Sequence, residues 1–273
     1  MKGVMSINHR SDAFMGMMFE TKRVLKEKLL IPDDYEIVFT SSATESWEII
    51  AQSLTREHSQ HFYNGAFGEK WHLYASHLVG TSSVEFELNT EMAPDGVSEV
   101  ADMICVTQNE TSNGTQISME SLKALKEHAG DRLVAIDATS SMAGIHLDFS
   151  LGDVWYASVQ KCFGLPAGMG VMVLSPAAIE RAYELNEKSH YNSLVNILDN
   201  AKKNQTSYTP NVLSIYLIKR TQEVSKGIEF VHERTLKRYQ VLSDMIAELD
   251  DFEFLVTSPT VRSQTVLAVK CDD

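Results

Sequence analysis

Hydrophobic positions along the chain fall into short continuous runs separated by longer amphipathic stretches. Glu36-Ile37-Val38-Phe39-Thr40, Met103-Ile104-Cys105-Val106-Thr107, Leu133-Val134-Ala135-Ile136-Asp137, Val154 to Val159 and Gly170-Val171-Met172-Val173-Leu174 are apolar runs bounded by polar or turn-forming residues, the pattern of buried strands. A further strand enters the glycine-flanked loop at His61-Phe62-Tyr63, and Val84-Glu85-Phe86-Glu87-Leu88 alternates with period two, as a half-exposed strand does. Helical periodicity appears between these runs. One helix carries Met18, Leu25 and Leu29 on its apolar face, another buries Trp47, Ile50 and Leu54, and a third spans Met119 to His128. Helix signals resume at Pro176, and the stretch from Val212 to about Leu249 reads as helix interrupted near Gly227, with Phe230, Leu236, Leu242 and Ile246 pointing inward. Phe252 to Val256 and Thr265 to Val269 read as late strands. The passage from the Met103 run through the Met119 helix to the Asp137 run is a βαβ crossover, so the fold class is α/β.

Chemistry concentrates where these runs end. The Val154 run stops at Lys161 and enters a loop punctuated by Gly164, Pro166, Gly168 and Gly170. In an open α/β sheet ligands collect at the carboxyl ends of strands, where loops enclose a crevice and helix N-termini point into it. A lysine held there among apolar neighbours loses its proton more easily than in water, because desolvation disfavours the ammonium, and a neutral amine can attack a carbonyl. Taken alone, Lys161 is more simply a strand-end lysine reaching into solvent. Asp137 alters that balance. It closes another apolar run, so adjacent strands would present carboxylate and amine together. Pyridoxal phosphate chemistry uses such a pair: a lysine that links to the cofactor, and an acid that keeps the pyridine nitrogen protonated so that the ring acts as an electron sink.

Asp137-Ala138-Thr139-Ser140-Ser141 followed by Ser158-Val159-Gln160-Lys161-Cys162 resembles the class V aminotransferases, and among them the phosphoserine aminotransferases. The similarity runs from about His9 to Thr209. It implies fold type I of the pyridoxal-phosphate-dependent transferases: a mixed, mainly parallel sheet in a large cofactor-binding domain, 1–225, followed by the start of a small C-terminal α/β domain, 226–273. It also implies roles. Lys161 is the catalytic lysine, Asp137 faces the pyridine nitrogen, and Gln160 reaches the cofactor phosphate.

Other positions have a plain structural explanation, which the resemblance supplements. The turn Ser41-Ser42-Ala43-Thr44 before the Trp47 helix offers free backbone N–H groups to an anion, although simple capping by Ser41, Ser42 or Thr44 accounts for it equally well. The resemblance makes Ala43 and Thr44 phosphate contacts. Gly65 and Gly68 flank Ala66-Phe67, which lets a flat ligand approach, and the resemblance makes Phe67 the ring that stacks on the pyridine. Gln108-Asn109-Glu110-Thr111-Ser112-Asn113-Gly114 is a cluster of turn-formers in which Thr111 is implied as a contact on the ring-hydroxyl side. His9 and Arg10, a cationic corner, are implied to bind the substrate's anionic end. Thr209, in Tyr208-Thr209-Pro210-Asn211, is implied to reach the cofactor phosphate of a neighbouring subunit, giving a homodimer with shared active sites.

The sequence departs from the pattern as well. Thr44 stands where phosphoserine aminotransferases commonly have an arginine for the substrate's phosphate, and Tyr208 and Asn211 replace family residues. Family members begin with a strand missing before Met5 and continue past residue 273, where a late arginine meets the substrate carboxylate. The expectation is therefore a fragment, or a chain whose carboxylate anchor comes from elsewhere.

Composition narrows the partners. The 273 residues are 44% hydrophobic, enough for one large core or a large domain with part of a second, and the net charge of -13 argues against a nucleic-acid or anionic-membrane surface. Three cysteines without a CxxC pair suit a reducing, cytoplasmic compartment, and no apolar run is long enough to span a bilayer. His58, His61, His72 and His77 have no partners at ligand spacing, so no metal is expected. The reaction implied moves an amino group from glutamate to 3-phosphohydroxypyruvate, a step of serine biosynthesis. Alternatives are an alanine-glyoxylate or serine-pyruvate aminotransferase, a cysteine desulfurase relying on Cys271, and a non-catalytic cofactor-binding relative.

Overall fold

The computed structural model describes residues 2–271. After α1 (Lys2–Met5) come α2 (Asp12–Leu29), β1 (Glu36–Thr40), α3 (Ala43–Ser53), β2 (His58–Tyr63), α4 (Ala66–Ala75) and β3 (Gly80–Glu85). The middle of the chain holds β4 (Met103–Thr107), a hairpin of β5 (Asn109–Glu110) and β6 (Thr115–Gln116), α5 (Met119–Ala129) and β7 (Leu133–Asp137). It continues with β8 (Val154–Ser158), β9 (Gly170–Leu174), α6 (Pro176–Leu185) and α7 (Leu194–Ala201). Last come α8 (Val212–Val224), α9 (Ile228–Ala247), β10 (Phe252–Phe254) and β11 (Val269–Cys271).

The strands β1-β9-β8-β7-β4-β2-β3 form one seven-stranded sheet in that spatial order. β9 alone runs against its neighbours β1 and β8, so the sheet is mixed and mainly parallel, as expected. Helices cover both faces, which is why the strands read as continuous apolar runs. The pleat sorts each run. Ile104, Val106, Val134, Ile136, Trp155 and Ala157 join α2, α5 and α8 on one face. Met103, Cys105, Leu133, Ala135, Val154 and Tyr156 join α3, α4, α6 and α7 on the other. Local signals set the helix starts: Ser11, Ser42, Ser118 and Ser175 each accept a backbone N–H from the first turn of α2, α3, α5 and α6.

The late chain differs from the sequence reading. In α9 Ile228 is the buried residue, whereas Phe230, Leu236 and Leu242 are exposed and Ile246 is half-buried. Helical periodicity fixes that a helix has an apolar face, and says nothing about whether another element covers it. Thr265 to Val269 is not a strand along its length. Residues 256–268 run as a strap beside the β5–β6 hairpin, with Gln116 N donating to Val261 O (2.8 Å) and Ser263 N to Gly114 O (2.8 Å), and pairing with β10 begins only at Val269. The period-two strand expected at Val84 to Leu88 lies earlier, at Gly80–Glu85, set by its register with β2.

Candidate active site

Alternation along three neighbouring strands builds the site. Thr107, Asp137 and Ser158 are the last residues of β4, β7 and β8, in phase with Cys105, Ala135 and Tyr156, so all three face the α3–α4 side at the strands' carboxyl end. Thr107 pairs in register with Asp137, and Asp137 with Tyr156. They open into a cavity of about 240 Å³ lined by Ala43, Thr44, Trp47, Phe67, Thr107, Asn109, Thr111, Asp137, Thr139, Ser158, Gln160 and Lys161. The structure therefore brings seven sequence-singled residues to one place: Ala43 and Thr44 in the turn that starts α3, Phe67, Thr111, Asp137, Gln160 and Lys161.

Each wall has a local cause. β8 loses its partner after Ser158, which pairs with Gly170, and the chain turns back through Gly164 N to Lys161 O (2.9 Å) and Leu165 N to Val159 O (3.0 Å). Lys161 and Gln160 stand at the tip of that turn, exposed to solvent and lining the cavity. The α3 turn is seated by Gly170. A side chain there would press a Cβ to 2.8 Å from the Ser42 backbone, so only glycine allows β9 to pass this close. The first N–H groups of α3 lack intrahelical partners; Ser42 Oγ accepts that of Glu45 (3.1 Å). Glu45 itself is drawn back, its carboxylate accepting from Ser41 N (2.6 Å), Ser41 Oγ (2.7 Å) and Tyr191 Oη (2.7 Å).

The opposite wall rests on Glu110, a buried carboxylate. Its Oε2 accepts the N–H groups of Phe67 and Gly68 at the start of α4 (3.2 Å each), and its Oε1 accepts Ser112 N (2.9 Å) and Ser112 Oγ (2.7 Å). This clamp ties the Phe67 loop to the hairpin bearing Thr111, whose hydroxyl touches that of Ser140. Phe67 is 41% exposed and lines the cavity.

Asp137 is the electrostatic centre. Burial pushes its carboxyl up to about 6, opposed by hydrogen bonds from Thr139 and Tyr156 and reinforced by the charge of Glu110. Thr139 N donates to Asp137 Oδ1 at 2.8 Å. Tyr156, fully buried, receives Trp47 Nε1–H at 2.8 Å. Thr107 Oγ1 and Asn109 Oδ1 are buried polar atoms without a hydrogen-bond partner among the described residues, and both belong to residues lining the cavity. Amine, buried carboxylate, half-exposed aromatic ring and helix N-terminus around one crevice suit a flat, anion-bearing ligand.

Three other sequence-singled residues lie outside this lining. Arg10, ahead of α2, donates to Asn200 Oδ1 (3.3 Å) and Gln205 Oε1 (2.6 Å), and His9 beside it is half-buried. Thr209 is exposed, in the segment where Tyr208 Oη donates to Phe39 O (3.4 Å) and Asn211 caps α8 by accepting Ser214 N (3.1 Å). Capping accounts for the asparagine at 211. Sequence reasoning missed Tyr156, Trp47 and Glu110 as site residues. The pleat phase shared by Tyr156 and Ser158 was a readable signal for the first; the reach of Glu110 to α4 was not.

Comparison with known proteins agrees with this geometry. The family description "Aminotransferase class-V" matches residues 77–273. The phosphoserine aminotransferase of Rhodococcus opacus (strain B4) is 30% identical over 281 residues, covering 99% of this chain and 74% of that protein. The crystal structure of a phosphoserine aminotransferase from Cytophaga hutchinsonii superposes with a TM-score of 0.94 at 30% identity, over 99% of this chain and 77% of that one. An aspartate aminotransferase of subgroup IV from Thermus thermophilus shares the fold at 20% identity, with a TM-score of 0.86 over 98% of this chain and 77% of that one. The chain belongs to the class V aminotransferases and is, with them, a pyridoxal-phosphate-dependent transaminase.

Proposed function

We propose that this chain transfers an amino group from glutamate to 3-phosphohydroxypyruvate, giving phosphoserine and 2-oxoglutarate, in the cytoplasmic synthesis of serine. The observation that carries the reading is the convergence of Lys161, Asp137, Phe67 and the α3 N-terminus on one cavity. The named relatives at 30% identity support the substrate. Pyridoxal phosphate fits the donor set: the cavity offers an amine, a buried carboxylate, an aromatic ring and, in Thr107 Oγ1 and Asn109 Oδ1, two buried polar atoms without partners among the described residues.

When bound, the cofactor supplies an electron sink for the electron pair released at the substrate's α-carbon. The protein's own groups do the rest. Lys161 Nζ would hold the cofactor and, once the donor's amino group has displaced it, would be free to take the α-proton as general base and give it back as general acid. Asp137 holds the proton on the pyridine nitrogen. Phe67 would stack on the ring and exclude water, Thr111 would meet the ring-hydroxyl side, and Ala43, Thr44 and Gln160 would hold the phosphate with the helix dipole's help. Thr209 serves the phosphate of a neighbouring subunit in a homodimer, and His9 and Arg10 receive the substrate's anionic end. Residues 1–225 form the cofactor-binding domain, and 226–273 begin a small second one. Among the described residues no helix is long and apolar enough to cross a membrane.

A second reading has its own observation. Thr44 lines the cavity where an arginine would serve a substrate phosphate, which favours an alanine-glyoxylate or serine-pyruvate type of acceptor. Steady-state kinetics with glutamate and each of 3-phosphohydroxypyruvate, pyruvate and glyoxylate decide between them. A kcat/KM at least about tenfold higher for the phosphorylated acceptor, about 1.4 kcal/mol of transition-state preference, supports the first reading. The reverse order supports the second.

A further inference from the structure

A buried tyrosine hydroxyl needs a partner, and the direction of its hydrogen bonds decides what it can do. Tyr156 is fully buried in β8 and is the register partner of Asp137 on β7. The indole N–H of Trp47, which can only donate, points into Tyr156 Oη at 2.8 Å. The ring is also held by Trp71, edge-on with centroids 5.2 Å apart and planes at 85°. With the indole N–H occupying one side of the oxygen, the phenolic proton is left to turn toward the carboxylate of Asp137, its register partner on the same face of the sheet. Thr139 N holds Asp137 Oδ1 from the other side.

We infer that Tyr156, held by Trp47, is a positioning residue for Asp137: its O–H sets the carboxylate's orientation toward the cavity and keeps it ionised. This rests on the proposed reading that Asp137 meets the cofactor's ring nitrogen. The role of Tyr156 follows from a physical need. A carboxylate buried at the end of a central strand tends to take up a proton, and Glu110 across the cavity strengthens that tendency. A protonated Asp137 cannot hold a proton on a pyridine nitrogen. The groups facing Asp137 are Tyr156 on β8, Cys105 on β4 beside Tyr156, Glu110 on β5 and Lys161 in the loop after β8; α3 and α4 contribute the non-titrating Trp47 and Trp71. Thr139 and Tyr156 are the neutral side chains that favour the ionised carboxylate, and Tyr156 is the one held in place by a further residue, Trp47.

The test reads Asp137 first without cofactor. In apo-protein carrying carboxyl-carbon-labelled aspartate, the Asp137 resonance is identified by its loss in Asp137→Asn and followed against pH by NMR. Tyr156→Phe should move its midpoint upward from about 6, by about tenfold in proton concentration. Trp47→Phe keeps the tyrosine but frees its hydroxyl to rotate, and should move the midpoint the same way by less. This second variant keeps the inference testable if Tyr156→Phe does not fold. In holoprotein, the acid limb of pyridoxal phosphate affinity should rise in step with the apo midpoint. Unchanged midpoints in both variants overturn the inference. Midpoints that move while the affinity profile stays put overturn the positioning role alone. If Asp137→Asn leaves the affinity and its pH dependence untouched, the inference falls with its premise, a failure distinct from the other two because the NMR shift would remain.

Discussion

Replacing Glu110 by alanine should loosen the cavity wall it clamps, and the structure sets the size of the effect. Four donors converge on its carboxylate: Phe67 N and Gly68 N at 3.2 Å, Ser112 N at 2.9 Å and Ser112 Oγ at 2.7 Å. The first pair are orphan donors of α4, which starts at Ala66 after Gly65, a residue that makes no side-chain cap. Losing an N-terminal cap costs about 1 kcal/mol, and losing a negative charge at the helix N-terminus up to about 1 more. The Ser112 pair, nearer solvent, adds about 1 through hydrogen bonds that water partly replaces. The sum is about 3 kcal/mol. Glu110→Gln keeps one carbonyl oxygen for the α4 pair and loses the Ser112 pair and the charge, so it should cost about two thirds as much. Urea denaturation of the apo-protein reads the stability, and titration with pyridoxal phosphate reads the site. Affinity should fall in the order wild type, Glu110→Gln, Glu110→Ala, because the Phe67 ring rides on the same loop. Glu27→Gln, on an exposed face of α2, is the control and should stay within about 0.5 kcal/mol of wild type. A Glu110→Ala protein as stable as that control would refute the clamp.

Three further outcomes follow from the same coordinates. Asp137, raised by burial to about 6 from an ordinary carboxyl value, carries more proton in the folded chain than in the unfolded one between about pH 4 and 6, so its stabilising contribution is present below that window and lost as pH rises through it. Apo Asp137→Asn should therefore gain on the order of 2 kcal/mol over wild type at pH 8 and show no gain at pH 4, by denaturation at each pH; a constant difference would contradict this. His61, its pKa lowered to about 3 by burial and by His72 and His58, works in the opposite sense. Its contribution is present above about pH 6.5 and lost as pH falls, so His61→Gln should flatten the acid limb by roughly 3 kcal/mol between pH 6.5 and 4, and an unchanged limb would sink the assignment. Gly170→Ala should push the Ser42 turn away from β9 and weaken pyridoxal phosphate binding more than it weakens folding, measured by titration beside thermal unfolding.

The sheet was legible because strands buried on both faces leave unbroken apolar runs, and because a run's end marks the crevice. Asp137 and Lys161 stood out for that reason, and the structure places both on one cavity. Contacts that depend on register were not legible. Nothing in the chain says that Tyr156 lies opposite Asp137, or that Glu110 reaches forty-odd positions back to Phe67 and Gly68. The inward face assigned to α9 failed for a related reason. Phe230, Leu236 and Leu242 satisfy helical periodicity, but covering them needs a partner element, and periodicity carries no information about partners. Thr265 shows a similar limit. Its run is β-branched and apolar enough for a strand, yet its hydroxyl donates to Ser140 O (2.6 Å) and accepts from Asn109 Nδ2 (2.9 Å), so side-chain bonding to the hairpin set its conformation.

The central claim is that Lys161 carries the cofactor in a transaminating site. The most direct measurement is the visible absorption spectrum of the protein reconstituted with pyridoxal phosphate, before and after glutamate, for wild type and Lys161→Ala. The account predicts a yellow wild-type protein that bleaches on adding glutamate, and a Lys161→Ala protein that lacks both the band and its response. A Lys161→Ala protein that colours and bleaches like wild type, or a folded wild-type protein that stays colourless with excess cofactor, would contradict it.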